Sequence, residues 1–237
     1  MNAKPRYYVI GSDTATGKTT VMRALLAHFG RQQIHVFPYK PAESYGPGDI
    51  PDSKLLADLS DLEPASIATH RAPIPRAPGM AISPEHFLEP ENFPPTREPL
   101  QACKQHLASR LDNNSFQGAL IEAAGGLHVP MPGGTWQAEW IKELADAAIL
   151  VTHLGLGTIN HTLLTIEACR ARSIDLAGLI FCDARSSEPS LAAENRRVLQ
   201  IHAGVPILGF VPAQSDTNAR PLIEASPVLD QLFVSKT

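Results

Sequence analysis

Residues 7–20 read Tyr-Tyr-Val-Ile-Gly-Ser-Asp-Thr-Ala-Thr-Gly-Lys-Thr-Thr, and no other stretch of the chain limits its fold as tightly. A short apolar run enters a loop of small residues. Gly17-Lys18-Thr19 then opens a segment in which Val21, Met22, Leu25, Leu26 and Phe29 recur at helical spacing. Strand, loop and helix in that order make a phosphate cradle. Backbone N–H groups at the helix start surround phosphate oxygens, Lys18 supplies positive charge, and the Thr19 hydroxyl reaches a bound Mg²⁺. A Gly-Lys-Thr tripeptide also occurs in plain strand-to-helix turns, so the flanking strand and helix carry the reading. The usual pattern has its first glycine where Ser12 stands; here that glycine comes one place earlier, at Gly11.

A chain of 237 residues can bury a large core, and one α/β domain over residues 1–237 is expected. The net charge of −4 argues against a general nucleic-acid binder. No apolar run is long enough to span a membrane, and the opening residues lack the apolar core of a secretory signal. Cys103, Cys169 and Cys182 show no metal-type spacing and read as reduced thiols, so a cytoplasmic location is expected.

Further along, Ile34 to Pro41 predicts a second strand, with Lys40 held extended by the following Pro41. Residues 42–49 form a polar loop, which places Lys40 and Ser44 on the rim where ligands bind in open parallel sheets. Asp52 reads two ways, as a helix N-cap before Lys54-Leu55-Leu56 or as a carboxylate facing Mg²⁺. Residues 72–100 are too rich in proline for regular structure. The apolar residues there, among them Ile74, Met80, Ile82, Phe87, Leu88 and Phe93, suggest an excursion packed over the domain. A helix from about Leu100 to Leu111 follows. Gly118 to Gly126 predicts a strand ending on Glu122 and then a glycine turn. An acidic residue there holds Mg²⁺ in phosphate-loop enzymes, and the glycines allow close backbone approach to a substrate.

A helix from Trp136 to Leu144 leads to a buried strand at Ala147 to Thr152. Leu154 to His161 opens another helix, whose N-terminal end is a second anion site with Asn160 beside it. His161 reads as helix surface, with no partner in view. Strands at Leu176 to Phe181 and Pro206 to Val211 flank a helix from Ser190 to Ile201. The alternation predicts a doubly wound, mostly parallel sheet.

The motifs at Gly11 to Thr19, Tyr39-Lys40-Pro41 with Ser44, Glu122 to Gly126, and Leu156 to Thr162 resemble dethiobiotin synthetase, in that family's order and from the first strand to Pro212. The resemblance implies a P-loop fold of about seven strands with helices on both faces. It implies ATP- and Mg²⁺-dependent closure of a cyclic urea on 7,8-diaminononanoate with CO₂ or bicarbonate, in a homodimer with the substrate at the subunit interface. Under it, Ser12, Asp13, Thr16, Gly17, Lys18, Thr19, Thr20, Cys182, Pro212 and Ala213 contact nucleotide. Thr19, Asp52 and Glu122 hold the metal. Thr14, Lys40, Ser44 and Gly125 surround the diamine, with Lys18, Lys40 and Thr14 as the catalytic groups. Gly157, Thr158, Ile159 and Asn160 of the partner subunit receive the distal carboxylate.

Three departures stand out. Ala15 replaces a glutamate or glycine, Ala123 replaces a glycine, and Cys182 takes the place of an asparagine that reads adenine, where a thiol lacks the amide's paired donor and acceptor. Asp49 competes with Asp52 for the metal position. A P-loop amide ligase of cobalamin-type pathways would carry an additional glutamine-hydrolysing domain. A nucleotide switch would carry an additional lysine early in the loop, where Ser12, Asp13 and Thr14 stand; an inert relative would keep the motifs without turnover.

Overall fold

The apolar runs assemble into a single large sheet. The structure, a computed structural model, describes residues 3–43, 50–60, 62–71, 85–112, 115–183, 187–213 and 221–234. In chain order the first elements are β1 (Arg6–Gly11), α1 (Lys18–Arg31), β2 (Val36–Glu43), α2 (Asp52–Ala57), α3 (Pro64–Ile67) and β3 (Ala68–Arg71). Then come α4 (Glu85–Leu88), α5 (Glu98–Asp112), β4 (Gly118–Glu122), the two-strand ribbon β5 (Pro130–Met131) and β6 (Thr135–Trp136), and α6 (Gln137–Leu144). The last are β7 (Ala147–Thr152), α7 (Thr158–Ala171), β8 (Leu176–Cys182), α8 (Pro189–His202), β9 (Ile207–Val211), β10 (Glu224–Ala225) and α9 (Pro227–Asp230).

The sheet runs β10-β9-β8-β7-β1-β4-β2-β3. Seven strands are parallel, as expected, and β10 adds an antiparallel edge on β9. Both faces are covered, so the strands read as continuous apolar runs whose alternate residues enter different cores. Tyr8, Ile10, Ala119 and Ile121 pack with α5, α6, α7 and α8. Val9 and Leu120 pack with Val21, Met22, Leu25 and Phe29 of α1 and with Leu229 and Phe233 near the C-terminus. Complete burial of a side chain such as Phe29 contributes about 1.5–3 kcal/mol.

Parallel strands open all their C-terminal loops along one rim. The C-terminal ends of β1, β2, β4, β7, β8 and β9 line it. β3, β10 and the β5–β6 ribbon were not legible, being too short for a period to register. β2 also runs through Glu43, two residues past the expected end of the strand. Asp52 is the first residue of α2, with Pro51 in the capping position, so the N-cap reading of Asp52 is corrected. Of the proline-rich excursion, residues 72–84 lie outside the described residues. In its remainder Phe87 packs on Trp136, ring centroids 4.5 Å apart, whereas Leu88 and Phe93 are 75% and 41% exposed.

Candidate active site

β1 ends at Gly11, and the loop doubles back over it. A Cβ at Gly11 would lie 2.5 Å from the Asp13 carbonyl oxygen, 2.6 Å from the Thr16 hydroxyl and 3.0 Å from the Lys18 ammonium. Only glycine fits, which explains why the first glycine sits at this place rather than the next. Gly17 caps α1 at φ 92°, in the left-handed region where glycine is at ease. Ala15 also takes positive φ, at 56°, a conformation that costs a residue with a Cβ about 1–2 kcal/mol. Lys18 folds back along the loop, donating to the Asp13 carbonyl at 3.3 Å. Burial, and then the neighbouring Lys40 charge, push its ammonium down to about 8 against the pull of Glu122, Asp52 and Asp13.

Beside this loop lies a buried cluster of charge. The Lys40 ammonium reaches Glu122 Oε1 at 2.8 Å, Asp52 Oδ2 at 2.7 Å and the Ala123 carbonyl at 3.0 Å. The Thr19 hydroxyl lies 2.9 Å from Asp52 Oδ1 and 2.7 Å from Glu122 Oε1, with its one hydrogen shared between them. β2 supplies Lys40, the end of β4 supplies Glu122, α1 supplies Thr19, and α2 supplies Asp52. Burial alone would drive Lys40 toward its neutral form, but Glu122 and Asp52 outweigh it and hold the ammonium charged. Burial and the nearby Asp52 charge raise the Glu122 carboxyl despite Lys40. For Asp52 the balance is the reverse: desolvation opposes ionisation, but Lys40, Thr19 and Lys18 hold the carboxyl below its ordinary value. Glu122 Oε2 is buried with no hydrogen-bond partner among the described residues.

Two positioning groups were not found from the sequence. Glu43, 2% exposed, accepts from the Ser53 backbone N–H at 3.0 Å and the Ser53 hydroxyl at 2.6 Å. It pins the first turn of α2 and so aims Asp52. Its signal was present, an acidic residue close after a predicted strand, but it read as loop. Gln137, fully buried, accepts from the Ala124 N–H at 2.8 Å and donates to the Gly126 carbonyl. It braces the turn after β4, where Gly125 has φ 121°. A Cβ on Gly125 would stand 3.7 Å from the Thr14 hydroxyl, so Thr14 and this turn face each other.

The first turn of α7 closes the other side. Gly157 caps it at φ 85°, and Asn160 is exposed there beside the half-buried Ile159. The Thr158 side chain turns inward and donates to the His153 carbonyl at 2.6 Å, leaving only backbone to face a ligand. His161 does have a partner: its Nδ1 lies 3.8 Å from Asp13 Oδ2 on the phosphate loop. Both donors of Ser12 are turned inside, the N–H on the Val151 carbonyl at 3.0 Å and the hydroxyl toward Thr152 at 3.0 Å.

Asp13 and Thr14 are exposed, Thr16 is buried and Thr20 half-buried along the loop, while Pro212 and Ala213 follow β9 on the same rim. Cys182 is 1% exposed at the end of β8, its thiol donating to the Gly17 carbonyl at 3.9 Å. It packs behind the phosphate loop, against the residue that caps α1. Ser44 and Asp49 lie outside the described residues. The three cysteines are buried, none of them in a disulfide.

This arrangement on a parallel sheet defines a P-loop nucleotide-binding α/β protein. Solved structures agree on the fold: the MinD cell division protein of Aquifex aeolicus has a TM-score of 0.52 at 11% identity, covering 89% of this chain and 83% of that one. Chloroplast FtsY of Physcomitrella patens has a TM-score of 0.53 at 13% identity, covering 99% of this chain and 67% of that one. A family model described as an AAA domain matches residues 5–220. Sequence relatives narrow the class. ATP-dependent dethiobiotin synthetase BioD of Halalkalibacterium halodurans is 31% identical over 231 residues, covering 89% of this chain and 85% of its own. The BioD of Bacillus velezensis is 30% identical over 228 residues, covering 92% of each. The chain belongs to the dethiobiotin synthetase family.

Proposed function

We propose that this chain is an ATP-dependent dethiobiotin synthase, converting 7,8-diaminononanoate and CO₂ to dethiobiotin. One observation carries the reading: Lys18, Lys40, Asp52 and Glu122 converge beside Thr19 of the phosphate loop. One amine captures CO₂ as a carbamate, and a carbamate oxygen attacks the γ-phosphorus of ATP to release ADP. The second amine attacks the carbonyl carbon of the mixed anhydride, expels phosphate and closes the ring. The phosphoryl transfer builds negative charge between nucleotide and carbamate. Lys18 along the loop and Lys40 beside it supply fixed positive charge there without reorganising. Thr14 and the Gly125 backbone, facing each other across the rim, hold the diamine.

The oxygen donors of Asp52, Glu122 and Thr19 suit Mg²⁺, which favours one or two carboxylates together with phosphates and water. The partnerless buried Glu122 Oε2 supports that fit. When bound, the ion neutralises charge on the β- and γ-phosphates. The distal carboxylate of the diamine is received at the first turn of α7 of a second subunit. A cleft of about 540 Å³ runs alongside that turn, lined by Leu156, Gly157, Asn160 and Leu164 among others. Leu156 and Leu164 are 87% and 54% exposed, which favours burial against another copy.

The deciding experiment supplies purified protein with ATP, Mg²⁺, bicarbonate and diaminononanoate. Dethiobiotin and ADP are expected in equal amounts. Nucleotide hydrolysis indifferent to the diamine, with no dethiobiotin where a known synthase makes it, would refute the reading and leave a switch or an inert relative.

A further inference from the structure

A chain of hydroxyls, buried from Thr152 onward, joins the phosphate loop to α7. Ser12 Oγ lies 3.0 Å from Thr152 Oγ1, which in turn lies 2.7 Å from both Thr158 Oγ1 and Thr162 Oγ1. Thr152, Thr158 and Thr162 are all 0% exposed, and the chain ends on the His153 carbonyl, 2.6 Å from Thr158 Oγ1.

Counting hydrogens gives the chain a direction. A carbonyl cannot donate, so the Thr158 hydrogen points to His153. Thr152 must then donate to Thr158, and both Ser12 and Thr162 must donate to Thr152. Thr152 thus gives one bond and accepts two, and the Ser12 hydroxyl has no hydrogen left for a phosphate. The links from Thr152 to Thr158 and Thr162 are buried, those at Ser12 and His153 partly so, and stranding one of the buried groups costs about 1–3 kcal/mol. Displacing the loop at Ser12 therefore pulls on the turn that begins at Gly157. A second span, Asp13 to His161 at 3.8 Å, crosses the same gap at the surface, where both side chains are about half exposed and the pair is weak.

We infer that Thr152 is a positioning residue that couples the nucleotide loop to the first turn of α7, so that each responds when the other is occupied. The inference rests on the proposed nucleotide site, and it accounts for a serine at a position where phosphate loops carry glycine. In the homodimer proposed above, that turn serves the substrate of the partner subunit, so Thr152 would link nucleotide binding in one site to carboxylate binding in the other.

The test is hydrogen exchange on the full chain, with Mg-ADP as the only added ligand. In the wild type, Mg-ADP slows exchange in segments 11–20 and 156–163. Thr152→Val, nearly isosteric, keeps the slowing at 11–20 and loses it at 156–163, whereas Thr152→Ser keeps both. Ser12→Ala, which cuts the chain at its exposed end, serves if Thr152→Val does not fold and shows the same loss. Slowing at 156–163 that survives in Thr152→Val or Ser12→Ala, or is absent from a wild type protected at 11–20, overturns the inference while the nucleotide site stands. No protection at 11–20 in the wild type overturns both.

Discussion

Lys18 and Lys40 sit within one cluster and respond to it in opposite directions. Lys18 is held near 8 against 10.5 for a free lysine, so between those values the unfolded chain binds the additional proton. Lys18 therefore adds stability to the ligand-free protein as pH rises from about 8 to about 9.5, opposed toward the upper end by Cys169, whose thiol burial pushes up to about 11 while that of the unfolded chain ionises. Urea midpoints at the two ends of that window should show the rise, and Lys18→Met should abolish it. Phosphates favour the charged form, so nucleotide binding near pH 8 takes up about half a proton, which calorimetry in buffers of differing ionisation enthalpy measures. Lys40→Leu leaves Asp52 and Glu122 without their cation. It should remove turnover, largely spare nucleotide binding and destabilise the fold by about 3 kcal/mol or more. Adding Glu122→Gln to it should recover part of that loss in chemical denaturation. The residues with chemistry at fixed spacing, Lys18, Thr19, Lys40 and Glu122, were legible because a strand or a helix start dictates their place. Glu43, Gln137 and Thr152 were not, because their work lies in a partner brought close only by folding. Cys182 shows the same limit: its position along the chain was evident, but its burial behind Gly17 depends on how β8 packs against α1.

Short elements carry functional side chains here, and each is held by another element. α2 is six residues long and would not persist alone in water. Its attachment through Glu43 and Ser53 is what turns Asp52 toward Thr19. Glu43→Gln replaces one accepting oxygen with a donor and should cost about 1–2 kcal/mol in denaturant titrations, with weaker Mg²⁺ dependence of nucleotide binding. Phe233, after α9, is similarly tied. Phe233 packs edge-on to Tyr7 and Phe29, with ring centroids 5.3 Å and 4.9 Å away, and Gly118 leaves room for its ring. Phe233→Ala should lower stability by about 3 kcal/mol, with the chemistry at the opposite rim little changed. Long elements were legible from periodicity and matched to within a few residues. β3, β10 and the β5–β6 ribbon were not, since two to four residues carry no pattern.

Across the molecule, one rim gathers the ligand groups while the cores on both faces of the sheet keep its strands parallel. The exposed apolar residues of the α7 cleft belong to the proposed subunit contact. Leu164→Glu should yield monomers in sedimentation velocity while leaving the fold intact by circular dichroism. Those monomers should bind nucleotide yet lose affinity for the diamine. If the wild type sediments as a monomer at working concentrations, the shared-site arrangement fails.

Lys40 gives the molecule a built-in counterion. Its ammonium already lies between the two carboxylates that a metal would use, so the ligand-free protein has little reason to collect stray divalent ions. A free cation must displace a tethered one, and only an incoming polyphosphate offers the lysine comparable company elsewhere. Metal and nucleotide should therefore load as one parcel, and the protein should pass through metal-rich solution unchanged until nucleotide arrives.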